Sequence, residues 1–300
     1  MNDAKPILVV GSIALDTLET SSGNRSEIFA GSAVYFSVAA SLFAPVRMVG
    51  VVGDDFPKSC WDILSSRKID VQNVQIQNGK TFRWGARYSR DYNKRETLFT
   101  HLGVFENFRP EIYENHLNTP FIFLGNIQPD LQKQVSDLTP MAEHVICDTM
   151  NLWIHRNVDK LWKVLKGVKI FLLNDEEAIQ LTGYKDLNQA AKHLLKAGPK
   201  IVIIKRGAKG ALITDWNNST HIPVYPEVDV VDPTGAGDSF AGGLIGHLAN
   251  HGINKIREAV ITGAAMASFT VSGFGLEGLM QATIEKIEKR TEIIRKSIIE

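Results

Sequence analysis

The stretch 230–243 constrains the chain most, because a helix breaker, a glycine turn and a helical pattern follow one another within it. Pro233 prevents a helix from entering the stretch from its N-terminal side. Small and apolar residues then recur at helical spacing from Phe240 to Leu248. The stretch therefore predicts an extended segment, a turn and a helix whose first free amides belong to residues 235–238.

The start of such a helix is suited to binding an anion. It offers unpaired N–H groups and the positive end of the helix dipole. Gly235 and Gly237 let an anion approach the backbone closely. Asp238 adds a carboxylate in the same turn, and donors for an oxyanion beside a base suit phosphoryl transfer. The same residues also fit a plain strand–helix connection in which Asp238 only caps the helix.

The composition is that of an ordinary globular protein, with 44% hydrophobic residues in 300. The 33 basic residues balance the 33 acidic ones, so neither nucleic acid nor a membrane surface is expected as a partner. Cys60 and Cys147 are far apart, which argues against a disulfide framework and a zinc site. The apolar run 7–10 is too short for a signal peptide or a membrane span, so we expect a cytoplasmic protein.

Apolar runs typical of buried parallel strands alternate with helical patterns along the chain. The runs lie at 7–10, 47–52, 121–124, 144–147, 170–173 and 200–205. Residues from about 71 to 108 instead alternate between apolar and polar, which predicts a small antiparallel sheet. We therefore expect an α/β fold in a single domain over residues 1–300. It should be a three-layer sandwich with a mostly parallel central sheet.

The sequence Asp-Pro-Thr-Gly-Ala-Gly-Asp-Ser-Phe at 232–240 resembles the C-terminal signature of the ribokinase-like carbohydrate kinases, the PfkB family, which includes nucleoside kinases. The family's second signature, Asn-x-x-Glu at a strand end, is matched at 174–177. The resemblance covers nearly the whole chain. It implies a ribokinase-like fold in which the small sheet, formed mainly by about 12–30 and 71–108, is a lid over the acceptor. It also implies an ATP-dependent kinase that phosphorylates a hydroxymethyl group.

The resemblance implies the roles of the residues at the reacting phosphate. Asp238 would take the proton from the acceptor hydroxyl, as the base of the reaction. The amides of Gly235, Ala236 and Gly237 would form the anion hole for the phosphate that moves. Asp16, in the segment Gly-Ser-x-x-x-Asp, would bind hydroxyls of the acceptor, and it follows the strand 7–10 where open α/β sheets bind ligands.

The acceptor pocket departs from the family's pattern. The family has a Gly-Gly pair followed by Asn, whereas this chain has Ala30-Gly31 and places Tyr35 where the Asn would be. Gly31 and Tyr35 are expected to contact the acceptor. A sugar is the first choice of acceptor, because that is the commoner role in the family. A ribonucleoside is the alternative, since Tyr35 with Trp84 or Tyr88 offers aromatic rings for stacking a base.

The resemblance also implies nucleotide and metal contacts. Gly207 and Gly210 match the glycines of the family's nucleotide loop, with Lys205 in place of its Thr, and are expected near ATP. The acidic turn of Asn174 and Glu177 is expected to hold the water shell of magnesium. A potassium site is expected from four residues: Asp232, Thr234, Ser268 and Gly273.

Two further possibilities remain open from the sequence. A metabolite-binding protein without turnover would share the fold, although the retained Asp238 argues against it because a sensor needs no base. The small sheet is also a candidate face for a homodimer.

Asp148 and Asn151 resemble the family's Asp-Pro-Asn turn, with one additional residue between them.

Overall fold

The computed structural model describes residues 4–90, 92 and 94–299. Its strands are β1 (Ile7–Val10), β2 (Ala14–Thr20), β3 (Gly23–Ala30), β4 (Val46–Gly53), β5 (Asp70–Gln77), β6 (Phe82–Tyr88), β7 (Arg95–His101), β8 (Phe121–Leu124), β9 (His144–Cys147), β10 (Ile170–Asn174), β11 (Ile201–Lys205), β12 (Ala211–Thr214) and β13 (Ser219–Ile222). Its α-helices are α1 (Ser32–Ala40), α2 (Lys58–Ser66), α3 (Pro129–Leu138), α4 (Asn151–Arg156), α5 (Val158–Leu165), α6 (Asp175–Thr182), α7 (Leu187–Leu195), α8 (Ala236–His251), α9 (Ile256–Thr270), α10 (Glu277–Met280) and α11 (Ile284–Ile299).

The large sheet has the order β13-β12-β11-β10-β9-β8-β1-β4-β5. The strands from β5 to β11 in this order are parallel to their neighbours, and β12 and β13 add an antiparallel edge. Alternate residues of β1 belong to different cores, because Ile7 and Val9 pack with α1, α8 and α9, while Leu8 and Val10 pack with α3, α5 and α7. The three-layer α/β fold expected from the sequence is confirmed.

The small sheet has the order β3-β2-β6-β7. Its outer pairs are antiparallel, and β2 runs parallel to β6 between them. The structure corrects one expected boundary, because β5 (70–77) is an edge strand of the large sheet, parallel to β4, rather than part of the small sheet. An edge strand with one buried face alternates just as a strand of a small antiparallel sheet does, so the pattern alone did not separate the two.

The parallel strands bring polar residues together at one edge of the large sheet. Asn126, Asp148, Asn174 and Lys205 follow or end the successive strands β8, β9, β10 and β11. Because the carboxyl ends of parallel strands form the ligand-binding edge of an open α/β sheet, the site is expected there. Among the described residues, no helix combines the length and apolar character needed to span a membrane.

Candidate active site

The first turn of α8 is shaped by a glycine that no other residue replaces without strain. Gly235 precedes the helix with a φ of 75°, in the left-handed region that favours glycine. A Cβ atom at this position would lie 2.3 Å from Cγ of the Tyr35 ring in α1. The turn therefore rests directly on a buried aromatic ring, which fixes where the helix starts.

The amides at this helix start are available to a ligand. In the described part of the chain, the N–H groups of Gly235 and Gly237 have no hydrogen-bond acceptor. The preceding loop is held separately, because the Asp232 carboxylate accepts a hydrogen bond of 2.9 Å from the amide of Thr234. The geometry fits an oxyanion bound at the positive end of the helix dipole.

Asp238 lies in the first turn of α8, partly exposed but densely surrounded by protein. Its pKa is raised to about 7, first by burial and then by the carboxylate of Asp148, while the ammonium of Lys205 acts in the opposite direction. A carboxylate with a pKa near neutrality is suited to accept a proton from a hydroxyl group and release it again.

Lys205 extends from the end of β11 to the same place. Its Nζ atom donates a hydrogen bond of 2.7 Å to the Asp148 carboxylate, and the two side chains are only 17% and 4% exposed. A Cβ atom on Gly237 would lie 3.1 Å from this Nζ atom, so the ammonium adjoins the start of α8. Burial alone would lower the pKa of Lys205, but Asp148 and Glu177 raise it, so the side chain carries its charge.

Asn174 and Glu177 form a capping box at the start of α6. The Asn174 Oδ1 atom accepts from the amide of Glu177, and the Glu177 Oε2 atom accepts from the amide of Asn174, both at 2.8 Å. The pKa of Glu177 is raised to about 7, by burial first and then by Asp148. A divalent cation would relieve this crowding of negative charge, so the residues fit magnesium held through water.

The described residues contain no cluster of three or more His, Cys, Asp or Glu side chains arranged to hold a metal ion by themselves. Magnesium usually keeps several waters and binds through one or two carboxylates together with substrate phosphates. The acidic turn of Asn174 and Glu177 therefore fits an ion that arrives with the nucleotide.

Asp16 is a buried carboxyl group on β2, 4% exposed. Its Oδ1 atom has no hydrogen-bond partner among the described residues. Burial raises the pKa of Asp16 well above its usual value, and Asp232 and Asp238 raise it further. A buried acceptor near Asp238 that lacks a protein donor fits a ligand hydroxyl, since buried polar atoms are otherwise paired.

Trp84 on β6 is paired in register with Asp16 on β2. Residues paired in register on neighbouring strands project from the same face of a sheet, so the side chains of Trp84 and Asp16 share one face of the small sheet. The guanidinium carbon of Arg95 lies 5.2 Å from the centre of the Trp84 ring, a cation–π contact. The sequence did not single out Arg95, because nothing distinguishes it from its charged neighbours Lys94 and Glu96.

The small sheet also contacts the loop before α8. The hydroxyl groups of Tyr88 and Thr234 lie 3.0 Å apart and share a hydrogen bond. The Tyr92 hydroxyl donates to the carbonyl of Val231 at 3.2 Å. These contacts connect the end of the hairpin β6–β7 to the loop that precedes α8.

Two residues expected in the acceptor pocket are explained by packing. Tyr35 is 1% exposed, and its ring lies beneath Gly235, a position that does not fit the stacking role expected from the sequence. A Cβ atom on Gly31, whose φ is 112°, would lie 2.4 Å from the carbonyl oxygen of Ser12. Gly31 therefore permits the close approach of α1 to the segment after β1.

The residues expected to hold potassium are brought together only in part. The fully buried Asp232 accepts hydrogen bonds from the amides of Thr234 and Gly275, at 2.9 and 3.1 Å. The Ser268 hydroxyl instead accepts from Arg290 at 2.7 Å, and a guanidinium there disfavours a second cation. Gly273 packs against α10, where a Cβ atom would lie 2.8 Å from the amide of Gly278.

The loop after β11 contains the expected nucleotide glycines. Gly207 and Gly210 have φ values of 52° and 80°, both left-handed. A Cβ atom on Gly210 would meet the carbonyl oxygen of Ile222 at 2.1 Å, whereas Gly207 has no atom within 4 Å of such a position. Gly210 is thus required for packing on β13, and Gly207 faces open space that a ligand can enter.

Asn151, from the turn that resembles the Asp-Pro-Asn turn of the family, donates a hydrogen bond of 3.0 Å to Gln180.

The fold and the site together define an α/β phosphotransferase with a lid-like small sheet. The chain belongs to the pfkB family of carbohydrate kinases, whose sequence model matches residues 7–282. Kinases of this family transfer phosphate from ATP to sugars or nucleosides, and the chain is an enzyme of this class.

Individual relatives support the same assignment. The chain is 32% identical over 246 residues to a cytidine kinase of Thermococcus kodakarensis, covering 80% of this chain and 87% of the relative. The fold is shared with a nucleoside kinase of Methanocaldococcus jannaschii, with a TM-score of 0.78, 20% identity and coverage of 97% and 99% of the two chains. It is shared as well with a protein assigned as a ribokinase II of E. coli, in complex with ATP and Mg²⁺, with a TM-score of 0.79, 20% identity and coverage of 96% and 99%.

Proposed function

We propose that the protein transfers the γ-phosphate of ATP to the hydroxymethyl group of a ribonucleoside. The observation that supports this choice of acceptor is the register of β2 and β6, in which Trp84 is paired with the buried Asp16 on one face of the small sheet. An anchor for ring hydroxyls next to an aromatic surface suits a ribose that carries a base. The likeness to a cytidine kinase over most of both chains supports the same choice.

In this proposal, Asp238 takes the proton of the acceptor hydroxyl. The hydroxyl oxygen forms a bond to the γ-phosphorus as the bond from that phosphorus to the bridging oxygen breaks, and the electron pair stays on the β-phosphate of ADP. The amides of residues 235–237 stabilise the negative charge on the equatorial oxygens. Gly207 and Gly210 would lie along the nucleotide, where the open space above Gly207 gives access.

Two cations belong to the proposal. Asn174 and Glu177 would hold magnesium through water, and the ion would neutralise charge on the phosphates. Potassium would bind beside Asp232 and Thr234 with backbone carbonyls of the segment 268–275, which spans the end of α9 and the turn after it, so that Ser268 and Gly273 contribute only through the main chain. Activity should then increase with potassium and not with an equal concentration of a tetramethylammonium salt.

A free sugar is the second candidate acceptor, because Asp16 needs only two neighbouring hydroxyls of a furanose ring. We test the choice with purified protein, ATP and Mg²⁺, measuring ADP and phosphorylated product across ribonucleosides, ribose and fructose. The proposal predicts turnover of at least one ribonucleoside with a higher kcat/KM than either sugar. Turnover of sugars alone would contradict the choice of nucleoside, and binding without turnover would indicate a metabolite-binding protein.

The variant Trp84→Leu sharpens this test. Loss of a stacked base costs about 1–3 kcal/mol, so kcat/KM for the nucleoside should fall by roughly 5- to 150-fold. The value for ribose should change by less than about twofold. Trp216→Leu is the matched control, since Trp216 is 56% exposed in the turn between β12 and β13. An equal loss for nucleoside and ribose would contradict stacking on Trp84.

A homodimer through the small sheet is part of the proposal as well. β3 and β7 are the edge strands of that sheet, and edge strands can pair with another chain. Light scattering on the purified protein should give the mass of two chains.

A cytoplasmic location stays a prediction.

A further inference from the structure

The Lys205 ammonium lies next to the start of α8, where carboxylates are needed to hold a positive charge. Its ammonium adjoins Gly237 in the first turn of α8, where the helix dipole is positive and two amides lack a partner in the described chain. A cation near a helix N-terminus is disfavoured, whereas an anion there is stabilised. The Lys205 ammonium, the positive end of the helix dipole and the free amides therefore lie close together at the start of α8.

Asp148 is the carboxylate that is hydrogen-bonded to Lys205, and the charges of Glu177 and Asp238 also favour the ammonium. Asp148 is 4% exposed and accepts a hydrogen bond of 2.7 Å from the Lys205 Nζ atom. Its other oxygen, Oδ1, accepts from the amide of Thr149 at 2.9 Å. Asp148 follows β9 and Gly237 lies in the first turn of α8, so the ammonium adjoins two separate elements. The ammonium has three N–H donors, so a phosphate oxygen can bind it on the face toward Gly237.

We propose that Lys205 is a catalytic residue, which binds the transferring phosphoryl group and stabilises its charge as that group passes from ATP to the acceptor. The inference rests on the function proposed above. The residue would act together with the amides of Gly235 and Gly237, while Asp148 holds its side chain in position. It takes up no proton in the step: the acceptor proton passes to Asp238, and the electron pair of the broken bond stays on ADP.

The alternative role for Lys205 is to neutralise Asp148 within the fold. Four proteins separate the two roles: the natural chain, Lys205→Met, Asp148→Asn, and the double variant. The double variant removes both members of the Lys205–Asp148 ion pair, so neither of these two charges is left buried without its partner. Lys200→Met is the matched control, because Lys200 is exposed and precedes the opposite end of β11.

The decisive comparison is between the double variant and Asp148→Asn. If Lys205 acts on the phosphate, kcat of the double variant should be lower by about 10²- to 10³-fold, as for the loss of one oxyanion donor. A neutralising role predicts equal kcat in these two proteins at a pH where Asp238 is deprotonated in both, and that result would overturn the inference. The melting temperature of each protein is measured alongside, and Lys200→Met should match the natural chain.

A binding measurement provides a second readout. ADP with aluminium fluoride mimics the phosphoryl group in transfer. Its dissociation constant should be higher for the double variant than for Asp148→Asn, by a factor similar to the loss of kcat. The dissociation constant of ATP should differ by less than about threefold between these two proteins. Equal losses for both ligands would overturn a role in the transfer step. If the natural chain phosphorylates none of the acceptors, the proposed function is wrong. That result differs from both outcomes for Lys205, since each of them requires turnover by the natural chain.

Discussion

The start of α8 and the inner face of the small sheet meet at one site, yet their residues are held in place by different means. The phosphate half, which comprises Asp148, Lys205 and 235–238, is fixed by buried contacts. Gly235 rests on the Tyr35 ring, and Lys205 is paired with Asp148 at 2.7 Å. Its geometry follows from the packing of the large sheet and its helices.

The acceptor half, which comprises Asp16, Trp84, Tyr88 and Arg95, lies on three strands of the small sheet, β2, β6 and β7. Asp16 is buried, but Trp84 is only partly buried and Arg95 is exposed. The Tyr88 hydroxyl is hydrogen-bonded to that of Thr234, in the loop that precedes the phosphate half. The comparison contrasts a closely packed helix start with a more open face of the small sheet, so in the proposed function the acceptor can be selected with little effect on the chemistry.

The largest expected effect comes from the phosphate half. Asp238→Asn should lower kcat by about 10²- to 10⁴-fold, because it removes the positioned base. ATP affinity should remain within a few-fold of the natural value, since the amides and Lys205 are unchanged. Rapid-quench kinetics and calorimetric titration measure the two quantities. Near-normal turnover in this variant would contradict the assignment of the base.

The acceptor half should show a smaller but selective effect. Deoxy analogues that lack either of the two ring hydroxyls should lose about 10²-fold in kcat/KM, because the Asp16 carboxyl group is left unpaired. ATP affinity should not change, which would separate the two halves. Equal turnover of deoxy and ordinary acceptors would remove the role of Asp16.

A stability measurement tests how the phosphate half is fixed. Gly183→Ala should lower the free energy of unfolding by about 1–2 kcal/mol, since Gly183 has a φ of 76° and no atom within 4 Å of a Cβ. Gly235→Ala should cost a further ~1–3 kcal/mol, because its Cβ also meets the Tyr35 ring. Urea unfolding gives both values, and equal losses would show that the ring does not hold the turn.

The smallest effect is expected in the pH dependence. The pKa of Asp238 is about 7 and the base acts when deprotonated, so kcat/KM should fall as the pH drops below 7. The Asp148 carboxylate raises this pKa, so Asp148→Asn should move the acid limb to lower pH. Glu177 has a pKa of about 7 as well, and the limb should persist in Glu177→Gln if Asp238 causes it. An acid limb at the same pH in Asp148→Asn as in the natural chain would contradict the electrostatic coupling between Asp148 and Asp238.

The sequence predicted what is local and left undetermined what depends on distant packing. The strands, the turn before α8 and the order of polar residues at the sheet edge follow from short patterns. The burial of Tyr35 beneath Gly235, 200 positions away, follows from how α1 packs on α8, which no local pattern contains. The same holds for the placement of β5 in the large sheet and for the contact between Arg95 and Trp84.

The central claim is that one direct transfer occurs at the start of α8, with Asp238 accepting a proton rather than the phosphoryl group. ATP made chiral at the γ-phosphorus with oxygen isotopes tests it most directly, through the configuration of the phosphorylated nucleoside. A single in-line transfer predicts inversion at phosphorus. Retention would contradict the account, because it would require two successive transfers through a phosphorylated side chain such as Asp238.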